Sequence, residues 1–192
     1  MDSSLQAEAL IGAARGAVIG AMAGAGWLGW GLGNAKAYNG FVAPAFGFTA
    51  LFLFACSVYF LREGRRLRKQ YPAACTFTRQ TTVKWFLLVV LVEALAIALA
   101  SILANRLHRA DLATDWCAMI VGLHFLPLAK IFRAPNLSVL GILMTLWCAL
   151  CWVLFQPSMI GIAASLGTGI LFWGRCVSSL VRARRIAHSL AT

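Results

Sequence analysis

Six apolar stretches, each about the roughly 20 residues a helix needs to cross a hydrocarbon core, alternate along the chain with short polar or basic connections. They fall at about 7–33, 41–61, 85–103, 115–132, 137–155 and 159–177. Between them lie a polar turn after Asn34, a basic connection over 62–84 broken by Pro72, a polar link over 105–114, the turns Arg133-Ala134-Pro135-Asn136 and Gln156-Pro157-Ser158, and a basic tail over 178–192. Backbone polar groups inside a bilayer must be satisfied within their own segment. The pattern therefore predicts one all-α domain over 1–192, an integral membrane bundle of six transmembrane helices.

Within the first stretch, Gly12, Gly16, Gly20 and Gly24 recur at four-residue intervals, flanked by alanines at 9, 13, 17, 21 and 25. Positions four apart share a slowly drifting helical face, and small residues there let a second backbone approach closely. A glycine-zipper packing face is expected, with Gly161, Ser165 and Gly169 of the last helix as its partner or a second copy of the chain in that place. Trp27 and Trp30 sit near the far end of the same helix, where indole rings favour the membrane interface.

Composition strengthens the membrane reading. The 192 residues are 61% hydrophobic and 12% charged, where a soluble domain carries about a quarter charged residues. The N-terminus bears Asp2 and Glu8 rather than a basic leader region, so the first helix is expected to stay in the mature protein. Six cysteines scattered through apolar runs, or in the basic loop like Cys75, suggest free thiols and no disulfide framework.

The net charge of +11 lies mostly at helix ends, which points to anionic lipid headgroups at the basic loop and tail and not to nucleic acid. With the N-terminus inside, thirteen Lys and Arg fall on the cytoplasmic side and only Lys36, Arg106 and Arg109 on the other. The positive-inside rule then places both termini in the cytoplasm, as in a bacterial inner (plasma) membrane protein. A homo-oligomer or a membrane partner subunit completes the expected partners.

Candidate chemistry centres on Glu93 and His124. Each lies nine residues in from a polar helix end, Lys84 and Asp115 respectively, hence about 13 Å deep at the helical rise. An ionisable group near the bilayer centre is costly and points to a function unless it merely ties helices together. The two are expected to share an interior space and to interact directly or through one water, while Pro127, one turn beyond His124, frees a backbone carbonyl. Arg15 either joins this polar intramembrane cluster or snorkels back to the headgroups or Glu8.

Trp147-Cys148-Ala149-Leu150-Cys151-Trp152 places two thiols on one helical face. Cys148 and Cys151 resemble the Cys-x-x-Cys pair of membrane thiol oxidoreductases of the disulfide-bond-forming and vitamin-K-epoxide-reductase type, a resemblance that implies redox chemistry next to quinone. It covers four residues, and the second cysteine pair those families need is lacking. A bis-histidine haem would need two intramembrane histidines, and His108 and His188 fall outside the apolar runs. No HExxH, G-x-S-x-G or phosphate-binding loop occurs. No cofactor, metal or catalytic residue is expected. The function expected is that of a small channel- or transporter-like protein; the alternatives are a structural or interaction subunit of a membrane complex and a thiol oxidoreductase.

Overall fold

The computed structural model of the chain describes residues 3–70, 79–109, 112–132 and 134–191, apart from the side chains of 3–5, 79–83 and 190–191. Cys75 of the basic loop and Arg133 of the turn before the fifth apolar stretch lie outside the described residues. Among those described there are six helices and no strand: α1 (Ser3–Asn34), α2 (Val42–Gln70), α3 (Arg79–Arg106), α4 (Ala113–Ile131), α5 (Pro135–Leu154) and α6 (Pro157–Ala191). Five of them are long and apolar enough to cross a membrane, the make-up of an integral membrane protein. The helix left out is α4, whose 19 residues include Asp115, His124, Pro127 and Lys130.

Local chemistry sets the helix ends. The Asn39 side chain accepts from the backbone N–H of Phe41 and Val42, at 3.0 and 2.8 Å, and so caps the start of α2. α5 and α6 open on Pro135 and Pro157, where a missing N–H costs no helical hydrogen bond. α3 closes with His108 in the left-handed region, φ 53°, and the Arg109 N–H donating back to the Ala104 carbonyl at 2.8 Å, a helix-ending turn. Several helices outrun the apolar stretches. Residues 62–70, expected in a loop, continue α2, and the basic tail continues α6 to Ala191. Arg, Lys, Leu and Glu are good helix formers and nothing in these segments breaks the helix, so hydrophobicity ends at the membrane surface while the helix runs on.

The chain divides into two compact units, one of residues 1–26, 37–76 and 172–192 and one of 27–36 and 77–171. In the first, the buried residues of α1 follow Ala7, Leu10, Ala14, Ala17, Ala21 and Gly24, with Ile11 and Gly20 beside them, an alternating three-and-four spacing that keeps one seam turned inward. The glycine ladder crosses this seam at an angle, because a four-residue step overshoots the helical turn by about 40° each time. Gly12 is accordingly exposed, with open space where a Cβ would stand, whereas a Cβ on Gly20 would meet the Phe172 carbonyl at 3.1 Å and Cys176 at 3.2 Å. Gly16 and Gly20 thus face the Phe172–Ser179 stretch of α6. Ala17, Ala21, Leu53 and Cys176 form the core here, with Trp173 over it donating to the Ala21 carbonyl at 3.3 Å. Glu8 pairs with Arg68 at 2.9 Å.

In the second unit, α4 lies between α3 and α5. The partners run antiparallel on both sides: His124 meets Glu93 on α3, and Gly122 and Asp115 meet Gly141 and Trp152 on α5. Leu112, Ala118, Cys148, Cys151, Ile160, Ala163 and Ala164 make its core. Gly31 of α1 fits against Ser165 and Leu166 of α6, either of which a Cβ would strike. Gly167 leaves room for the Trp147 ring, which donates to the Ala163 carbonyl at 3.0 Å.

Candidate functional site

α3 contributes little to any core. Leu87, Leu91, Leu95, Leu99 and Ile102 are exposed along it, and its inward side is the strip facing α4. Glu93 stands on that strip. Its Oε2 lies 3.0 Å from His124 Nδ1, and the two side chains are only 19% and 8% exposed. That separation leaves no space for a bridging water. The oxygen nevertheless lies off the line along which Nδ1 would donate, since this nitrogen makes no aligned hydrogen bond among the described residues. The backbone of Val89, one turn before Glu93, is also within hydrogen-bonding reach of the imidazole, and Phe125 packs edge-on against it with ring centres 5.7 Å apart. About two turns further along the seam, the Cys117 thiol meets the Ser101 hydroxyl. Pro127 is accommodated within an unbroken α4, where it deprives the Leu123 carbonyl of its helical donor.

A carboxyl group and an imidazole at this distance can share one proton. The pair is neutral overall whether the proton sits on oxygen or on nitrogen as an ion pair, which is how two ionisable groups are tolerated away from water. Because His124 has a second nitrogen, a proton taken up on one side of the ring can be released from the other. The observed pair consists of Glu93 and His124. Arg15 belongs to the first unit and is exposed there, and Glu8, its expected partner near the headgroups, is held by Arg68. Cys148 and Cys151 are free thiols, 0% and 1% exposed.

No known protein family, curated protein or solved structure matches this chain. Its chemistry has to be read from its own residues.

One such residue does not stand out in the sequence. Asp115 marks the start of an apolar run and so resembles an interfacial acid set against the positive end of a helix. It does sit in the first turn of α4, yet it is 0% exposed. Its Oδ2 accepts a short hydrogen bond, 2.5 Å, from the Trp152 indole, and the Cys148 thiol is within hydrogen-bonding reach of both this carboxyl and Thr168 of α6. Asp115 and His124 are nine residues apart, which at about 100° per residue puts them on opposite faces of α4.

Proposed function

We propose that the protein is a small channel- or transporter-like membrane protein in which Glu93 and His124 form a proton-exchanging station of a polar path. The 3.0 Å approach of a carboxyl to an imidazole, on a seam between α3 and α4 whose other polar contact is the neutral Ser101–Cys117 pair, carries this reading. All six helices cross the plasma membrane and both termini are cytoplasmic. α4 is the helix that composition alone leaves out, and its antiparallel packing between α3 and α5, both apolar enough to span, supports counting it. Its 19 residues reach about 28 Å at the helical rise, close to the thickness of the hydrocarbon core. The basic ends of α2 and α6 then meet anionic headgroups on the cytoplasmic side.

Two measurements test this. Reporter tags at the N- and C-termini should be found on the same side of the membrane; five crossings would put them on opposite sides. Reconstituted in liposomes holding a pH-sensitive dye, the protein should pass protons, and Glu93→Gln or His124→Gln should abolish the flux. Flux that is absent in the parent, or unchanged in both variants, sinks the proposal.

A second reading, an interaction subunit of a membrane complex or a homo-oligomer, is favoured by the exposed apolar row along α3. Its expected outcome is a silent flux assay together with a stoichiometric partner, or a second copy, retained through purification in mild detergent.

A further inference from the structure

Asp115 occupies the face of α4 turned away from the Glu93–His124 pair, so its chemistry does not depend on that pair conducting anything. Among the described residues no Lys, Arg or His lies within ion-pairing distance of this fully buried carboxyl. Among the described residues two atoms here make no aligned hydrogen bond, its own Oδ1 and the Oγ1 of Thr168, and the polar group within reach of both residues is the weakly bonding Cys148 thiol. Both residues are 0% exposed, and both flank the Cys148 thiol, one from α4 and one from α6.

Thr168 differs from the other hydroxyls of the helices. Thr49, Ser57, Ser101, Thr145 and Ser165 each turn back to the carbonyl four residues earlier, at 2.7 to 2.9 Å. That bond is the ordinary resting place of a helix hydroxyl away from water, and the Thr168 oxygen is held out of it. A hydroxyl kept from its own backbone and a carboxylate oxygen without an aligned donor, both against one weakly bonding thiol, leave a hydrogen-bonding position between them to be filled. A lone buried carboxylate is also untenable in a medium of low dielectric unless a cation neutralises it.

We propose that Asp115 is a proton-binding site, occupied in the folded protein, with one bound water joining its Oδ1 to Thr168. The proton comes from the aqueous phase and forms an O–H bond at Oδ1. That O–H donates to the water oxygen, and the water, keeping its own two hydrogens, donates one to Thr168 Oγ1. Water suits the position because it both accepts and donates, and the site has polar groups from two helices to hold it. Among the described residues, the polar groups that meet the carboxyl are Trp152, Cys148 and Cys151 of α5, with Thr168 of α6 against the Cys148 thiol. None of them brings a positive charge. Trp152 is half exposed while its N–H holds Oδ2, so this indole reaches from the carboxyl to the protein's surface, and a proton exchanges past it.

Infrared spectroscopy of the full chain in lipid vesicles tests the assignment, because a protonated carboxyl has a carbonyl stretch well separated from that of a carboxylate. A carboxylic-acid band that Asp115→Asn removes and Glu93→Gln leaves in place is expected. In Thr168→Val the band should persist but move to higher frequency, having lost its hydrogen-bonded chain, and in Trp152→Phe it should move as well. If Asp115→Asn removes only a carboxylate band, the residue is ionised and the proposal fails. Movement of that carboxylate band on exchanging sodium for potassium would make the site a holder of metal cations instead. Should Asp115→Asn not fold, Thr168→Val decides alone: an unshifted acid band overturns the water bridge, and the absence of any acid band overturns the proton.

Discussion

Toward α5, α4 presents Gly122, and a Cβ there would meet Thr145 Oγ1 at 2.8 Å and the Gly141 carbonyl at 3.1 Å. A Cβ on Gly141 would in turn strike the Gly122 carbonyl. Toward α3, the same helix presents His124 and Cys117, which reach across to Glu93 and Ser101. One face holds its neighbour by bringing two backbones together, the other by polar groups at the ends of side chains. Both are ways of joining helices where burial of apolar surface gives no drive, since lipid is as apolar as leucine. They differ in what a substitution can do. Backbone cannot move aside, whereas a side-chain bond can be lost and the helices remain packed.

The largest expected effect comes from that rigidity. Gly141→Val forces a branched side chain into the Gly122 carbonyl, and overpacking of this kind costs about 1–3 kcal/mol or more. In detergent the variant should unfold at clearly lower temperature than the parent, whereas Gly12→Ala, at a site with open space, should stay within about 0.5 kcal/mol. Equal stability of the Gly141 and Gly12 variants would mean that α4 and α5 are not in backbone contact.

Little of this α4–α5 face was legible in the sequence, and the reason is geometric. The glycines of α1 announce themselves by regular spacing, yet their period is four and a helix turn is shorter, so Gly12 ends on the outside and the buried seam falls on Ala7, Ala14 and Ala21. Gly122 and Gly141 stand singly in their helices, and only the antiparallel pairing of α4 with α5 makes them face each other. Asp115 was hidden differently: its place at the edge of an apolar run resembles an interface, and its burial depends on Trp152, 37 positions away. Glu93 and His124 were visible because depth can be counted along one helix at a time. The helix count and type were equally visible, since 20-residue periodicity of hydrophobicity is a one-dimensional property. Where helices end was not, because a helix persists in water beyond the membrane surface when its residues are good helix formers.

A smaller effect is expected on the α3 side. Single substitutions Glu93→Gln and His124→Gln and their double variant form a cycle whose coupling energy isolates the pair. Polar contacts between membrane helices average about 0.6 kcal/mol and reach about 1.7, and this pair, which includes an ionisable partner on each side, should fall toward the upper end. Thermal unfolding of the four proteins measures it. A coupling of zero would show that the two groups are neighbours without interacting, and would leave the polar path without its central station.

The smallest effect distinguishes a seam of cooperating polar contacts from a single pair. Ser101 already donates to the Ile97 carbonyl within its own helix at 2.8 Å, so its bond to the Cys117 thiol uses what remains of the hydroxyl. A thiol is a weak partner. Ser101→Ala therefore removes one internal bond that helix bending can absorb and one weak contact, and the change in stability should be less than about 0.6 kcal/mol, the average for polar contacts between membrane helices. The same variant should leave the Glu93–His124 coupling unaltered, because nearly two helical turns separate the two contacts. A loss as large as that of Glu93→Gln, or a coupling that falls when Ser101 is replaced, would mean that the α3-facing side of α4 is held by one connected polar network, and the contrast with the glycine face would then be between two kinds of rigidity.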